Sequence, residues 1–110
     1  MIRDTIAKIE ARLKDSRSLN DRTRQELLSL LDTLRGEVTE LSKTDAARAQ
    51  RIAGVADTST EAAVREEPNA EHVQNALQEL SASVDGFEQS HPKLVQIVNR
   101  IATTLSNLGI

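Results

Sequence analysis

The chain has no cysteine, no tryptophan and no tyrosine, and its 110 residues include one phenylalanine, Phe87. Without cysteine there is no disulfide framework, no thiolate nucleophile and no sulfur-ligated metal. That fits a cytoplasmic chain. With one aromatic ring, an interface anchored on aromatic hot spots is not expected. Only two prolines and four glycines occur, and Gly36, Gly54, Gly86 and Gly109 never gather into a phosphate-cradling loop. No apolar run approaches the length of a membrane span, so no transmembrane segment is expected. The opening residues, Met1 to Lys8, are charged and amphipathic, so no signal peptide is expected either.

Charge of one sign is scarce in places. Residues 1–55 carry 11 Lys/Arg and 9 Asp/Glu, and residues 56–110 carry 3 and 8, so the halves stand at +2 and −5. The halves are therefore able to attract one another. The basic excess of the first half is too small to argue for nucleic acid as a partner.

What the chain does have is aliphatic periodicity. Ile2, Ile6, Ile9 and Leu13 advance in steps of four, three and four, which predicts an amphipathic helix over 2–15. After a turn from Ser16 to Asn20, Asn20 suits the N-cap of a second helix, with Leu27, Leu31, Leu34, Val38 and Leu41 as its stripe. The short turn predicts an antiparallel hairpin. Beyond Leu41 the next stripe positions are Asp45 and Arg48, and large aliphatics become sparse. Alanines keep helix propensity high there. The second helix is therefore read as running from 20 to 54, weakly anchored after 42, either as a rod about 50 Å long or as a mobile linker in its second half.

Thr58 with Glu61 three residues later fits a capping box, so residues 55–69 are a linker or a short helix ended by Pro68. Asn69 then caps a third helix over 70–88, with Val73, Leu77, Leu80, Val84 and Phe87 as its stripe. In a fourth, over 92–108, the stripe is Leu94, Val98, Ile101, Leu105 and Leu108, widened by Val95 and Ile97. Pro92 fits the first helical position, with His91 or Ser90 before it as cap. Gly109 is placed for a left-handed end that brings Ile110 back onto Leu105. The fold expected is all-α: one helical domain of two antiparallel hairpins, forming a four-helix, coiled-coil-like bundle with a long second helix.

The run Phe87-Glu88-x-x-His91-Pro92-x-Leu94, followed by Asn99-x-Ile101-x-x-x-Leu105-x-Asn107-x-Gly109-Ile110, resembles the C-terminal signature of a family called domain of unknown function 4404. The block Leu27-Leu28-Ser29-Leu30-Leu31 resembles it too. The resemblance covers about 1–42 and 70–110, leaving 43–69 as an insertion or an extension of the second helix. It implies a small all-helical bacterial protein and transfers no catalytic residue.

No cluster announces chemistry. His72 and His91 lie on different faces of the expected fold, and a zinc site needs three or four ligands. His91 is read as a turn residue and His72 as a surface one. Glu66, Glu67 and Glu71 flank Pro68 in a polar stretch and are read as a solvated helix start. Ser16, Ser18 and the Thr58–Thr60 run have no base nearby and are read as capping residues. A close helix contact is offered as the reason for Gly36, and either such a contact or room for the Phe87 ring as the reason for Gly86. Asn99 is open between a register-fixing seam residue and a solvent-facing one, and Asn107 is read as support for the C-terminus.

No catalytic residue, metal or cofactor is therefore expected. The core or interface falls to Leu27, Leu31, Leu34, Leu77, Leu80, Phe87, Leu94, Val98, Ile101, Leu105 and Leu108. The turns fall to Asn20, His91, Pro92, Gly109 and Ile110. A modest aliphatic core predicts marginal stability as a monomer, which self-association relieves. The leading expectation is a cytoplasmic, non-enzymatic helical adaptor or small regulator. It forms a homodimer through the wide face of 92–108 or the far end of the second helix, and an unidentified protein is a further partner. The rival is association with nucleic acid or an anionic membrane through Arg3, Lys8, Arg12, Lys14, Arg17, Arg22 and Arg24.

Overall fold

Asn20 and Asn69 each begin a helix by accepting a hydrogen bond from the backbone N–H three residues on, Thr23 at 2.8 Å and His72 at 2.9 Å. The computed structural model describes residues 2–108, so the expected turn at Gly109 and Ile110 lies outside it. Among the described residues there are five α-helices: α1 (Ile2–Asp15), α2 (Asp21–Ser42), α3 (Ala46–Ala63), α4 (Ala70–Ala82) and α5 (Pro92–Ser106). The fold is all-α, with one helix more than expected.

The extra helix comes from a break in the predicted rod. Ser42 and Thr44 turn their hydroxyls back onto the carbonyls of Thr39 and Leu41. Asp45 leaves helical geometry (φ −148°, ψ 79°), and its carboxylate accepts from Arg48 N at 3.1 Å. Short polar side chains compete for backbone groups in this way, which favours caps over helix interiors. Asp45 is thus the start signal of α3, not a charge interrupting α2. A 35-residue rod of about 50 Å would also overrun the longest extent of the molecule, 38 Å. Thr58 and Glu61 lie inside α3, and Thr58 Oγ1 donates to Gly54 O, so no capping box forms there.

α3 is neither a projecting rod nor a linker. It packs against all four other helices. α2, α3, α4 and α5 close a ring, each on the next, with α5 returning to α2, while α1 lies outside the ring across α2 and α3. The inward face of α3 is built mostly from small residues: Ala49, Ala53, Ala56, Ala62 and Ala63, with Ile52 as the one large side chain. Small side chains shorten the distance between helix axes, and this lets one helix serve so many neighbours. Buried Ser59 donates to Ala76 O of α4 at 3.0 Å, and Thr60 donates to Ala56 O within α3, so neither hydroxyl is left unmet.

α4 ends at Ala82, not at residue 88. Ser83 Oγ donates to Leu80 O, and Gly86 then takes φ +94°. Only glycine enters that left-handed region without penalty. Gly36 lies in mid-helix, and a Cβ there would meet nothing within 4 Å, so no close contact accounts for it. Two alanine substitutions should therefore act in opposite directions. Gly86→Ala is expected to lower stability by about 1–2 kcal/mol, and Gly36→Ala to raise it by about 0.5–1 kcal/mol. Urea unfolding of the two variants checks both signs.

Candidate functional site

Of the residues expected to form the core, Leu27, Leu31, Leu34, Leu77, Leu80, Leu94, Val98, Ile101 and Leu105 are buried, and Phe87 and Leu108 are half-buried against them. Both surfaces expected to carry self-association turn out to be internal. The wide face of α5, including Ile97, packs on α2 and α4, with Val95 half-buried at its edge. The far end of the predicted second helix is α3, at the centre.

The signature segment joins α4 to α5. Phe87 and His91 meet edge to face, with ring centres 5.4 Å apart. His91 holds the N-cap position of α5 but makes no capping bond with its side chain. Its Nδ1 pairs instead with Ser90 Oγ. Arg48, from the first turn of α3, lays its guanidinium 4.4 Å from the Phe87 ring centre. It also donates to Asp85 O at 2.9 Å, with a longer contact to Ser83 O at 3.4 Å. These carbonyls follow the end of α4, where helix geometry leaves acceptors unmet. The cluster is a clasp between α3 and the α4–α5 connection, and Arg48 is the member that the aliphatic stripes did not announce.

Four basic residues of α1 and α2 are engaged: Lys8, Arg12, Arg24 and Arg35. Arg12 Nε lies 3.4 Å and Lys8 Nζ 3.8 Å from Asp57 of α3, and Arg12 also approaches Glu61. Arg24 donates to the carbonyls of Leu13, Ser16 and Leu19, which fastens the α1–α2 turn, and pairs with Asp21. Arg35 reaches Glu10 and Asp32. Glu61 is held below the ordinary 4.5 by its hydrogen bond from Arg65 and then by the charge of Arg12. Its contribution to stability is therefore intact above the ordinary value and is lost as pH falls through the lowered one. Among the described residues, no three of His, Asp or Glu converge as metal ligands would, and no helix is long and apolar enough to cross a membrane.

One groove among the described residues is lined without charge. It runs between α4 and α5 with a volume of about 510 Å³. α4 contributes Gln74, Leu77, Gln78 and Ser81, and α5 contributes Asn99, Ala102, Thr103 and Ser106. Each set has the spacing i, i+3, i+4, i+7, which is one stripe along a helix. None of the eight is charged, in a chain that is 28% charged. Leu77 and Ala102 are each 8% exposed and form an apolar floor. Asn99 faces outward here rather than into a seam. Apolar periodicity does not reveal this groove. The readable signal is the lack of Lys, Arg, Asp and Glu at two matched stripes.

The model of a family described as a domain of unknown function (DUF4404) matches residues 27–110. The match begins within α2, so it takes in the whole of α3, α4 and α5 and leaves α1 outside. Residues 43–69, expected as an insertion or an extension, fall within it. No curated protein and no solved structure matches the chain.

Proposed function

The chain belongs to the DUF4404 family, a membership that brings no activity with it, and from its surface we propose that it is a non-enzymatic helical interaction protein, an adaptor or small regulator that self-associates. The observation that carries this reading is the charge-free groove between α4 and α5. The centres of protein interfaces are depleted in charged residues and rimmed by polar ones. A groove flanked by two helical stripes is also the shape that accepts further helices.

Binding of nucleic acid or an anionic membrane has less support. Of the seven basic residues that would carry it, Lys8 and Arg12 face Asp57, and Arg24 is held by backbone carbonyls. Light scattering across a concentration series tests self-association, and retention on heparin and on anionic vesicles tests the rival. The expected result is a mass that rises with concentration and no retention at physiological salt. A constant monomer mass with salt-sensitive retention would reverse the order of the two readings.

A further inference from the structure

Asp85 is the one aspartate of the chain that a glycine follows. In an Asp–Gly pair the glycine nitrogen is free to reach the carboxyl carbon before it and close a five-membered imide, because no Cβ stands beside that nitrogen. From the groups gathered around this pair we propose that Asp85 is a self-modification site, which isomerises to isoaspartate through a cyclic imide with Gly86. This goes beyond the interaction role above and requires no reactant but water.

Three observations carry it. Asp85 and Gly86 are both exposed, past the end of α4, and Gly86 has φ +94°. By contrast, Asp32 and Asp57 lie within helices and precede threonines, whose branched Cβ crowds the nitrogen. The Gly86 amide donates to Glu88 Oε2 at 3.0 Å. A carboxylate at that distance is placed to take the amide proton. Arg48, in turn, donates to Asp85 O at 2.9 Å. The guanidinium therefore polarises the main-chain carbonyl that the imide would contain.

With the Asp85 carboxyl in its acid form, the Gly86 nitrogen attacks Cγ and passes its proton to Glu88. The N–Cγ bond forms and the Cγ–OH bond breaks. The hydroxyl takes the proton back from Glu88 and leaves as water. A second water then adds to the main-chain carbonyl carbon of residue 85. Negative charge develops on Asp85 O, where Arg48 already donates, and a preorganised donor at such a position favours the addition. The old peptide C–N bond breaks, and the nitrogen takes a proton from the added water. The chain then runs through Cβ and Cγ, longer by one methylene, and the former main-chain carbonyl is a free carboxylate. Arg48 faces that carboxylate in place of a carbonyl, which is a stronger, charge-assisted partner. Water adding to Cγ instead restores aspartate. Glu88 thus speeds ring closure, and Arg48 biases the opening toward isoaspartate.

Incubation of the full native chain in water enriched in oxygen-18, followed by peptide mapping in a mass spectrometer, reads both steps. Each passage through the imide leaves one heavy oxygen at residue 85, in isoaspartate or in aspartate, and fragmentation separates the two. The expected result is label at Asp85 well ahead of Asp32 and Asp57, with a larger isoaspartate share than the same chain gives in urea. Glu88 is exposed, and Glu88→Gln keeps an oxygen to accept the Gly86 N–H but cannot take its proton. That variant is expected to gain label at least about tenfold more slowly with the share unchanged. Arg48→Ala is expected to bring the share down to its value in urea, whatever lost stability does to the rate. Circular dichroism verifies that both variants are folded. A native chain that gains label at Asp85 no faster than at Asp32 would overturn the site, even where the chain in urea gains it. A native share equal to that in urea would remove the role of Arg48, and an unchanged rate in Glu88→Gln would remove that of Glu88.

Discussion

Ile52→Asp is expected to leave no cooperative unfolding transition. Ile52 is 0% exposed and is the large side chain on the inward face of α3, the helix that touches all others. Truncating such a residue to alanine costs about 2–5 kcal/mol. A carboxylate in its place adds a desolvation penalty of several kcal/mol with no partner to offset it. A domain of this size has only about 5–15 kcal/mol to lose. Ile52→Ala, the milder change, is expected to remain folded with a Tm lower by roughly 10–20 °C. Scanning calorimetry of both variants checks the pair. Were residues 43–69 a solvated linker, both substitutions would fall within about 0.5 kcal/mol of wild type.

The second large effect concerns Arg48. Its guanidinium holds Asp85 O at 2.9 Å and covers the Phe87 ring. A hydrogen bond from a charged donor contributes about 1.5–3 kcal/mol, and the ring contact about 0.5–1 kcal/mol. Arg48→Ala is therefore expected to lower stability by about 2–4 kcal/mol, seen as an earlier urea midpoint. Arg48→Lys should recover little of this, since a lysine lacks the planar fork that spans carbonyl and ring. A double-mutant cycle with Phe87→Leu isolates the ring contact, with an expected coupling of about 0.5–1 kcal/mol. An Arg48→Ala midpoint equal to wild type would remove the clasp from the account.

The large aliphatic stripes made α1, α2 as far as Leu41 and the whole of α5 legible. Ile6, Ile9, Leu13, Leu34, Leu94 and Leu105 lie where their spacing put them, at 0–2% exposure. α3 was illegible to the same test because its core positions are alanines. Read for small residues, Ala49, Ile52, Ala53, Ala56 and Ala63 follow helical spacing as well as any leucine stripe, and Asp45 ahead of Ala46 is a cap. A helix at the centre of a bundle needs side chains small enough to admit several neighbours, so the most buried helix was the least conspicuous. Gly86 misled in the opposite way: the apolar spacing of Val84 and Phe87 continues past the end of α4, although the backbone turns between them. The α4/α5 groove escaped notice because its signal is missing charge, and amide and hydroxyl residues read as ordinary surface until two stripes are seen side by side.

The centrality of α3 decides which surfaces remain for a partner. With α3 in place, the apolar faces of α1, α2, α4 and α5 are covered within the chain, and the charge-free groove is the surface left to explain. Hydrogen exchange at the backbone amides of residues 49–60 tests this most directly. The account predicts that they exchange as slowly as those of residues 94–105, through global unfolding alone. Exchange of 49–60 as fast as the connection at 64–69, with α2 and α5 still protected, would contradict it and would place the partner surface on the apolar faces that α3 now covers.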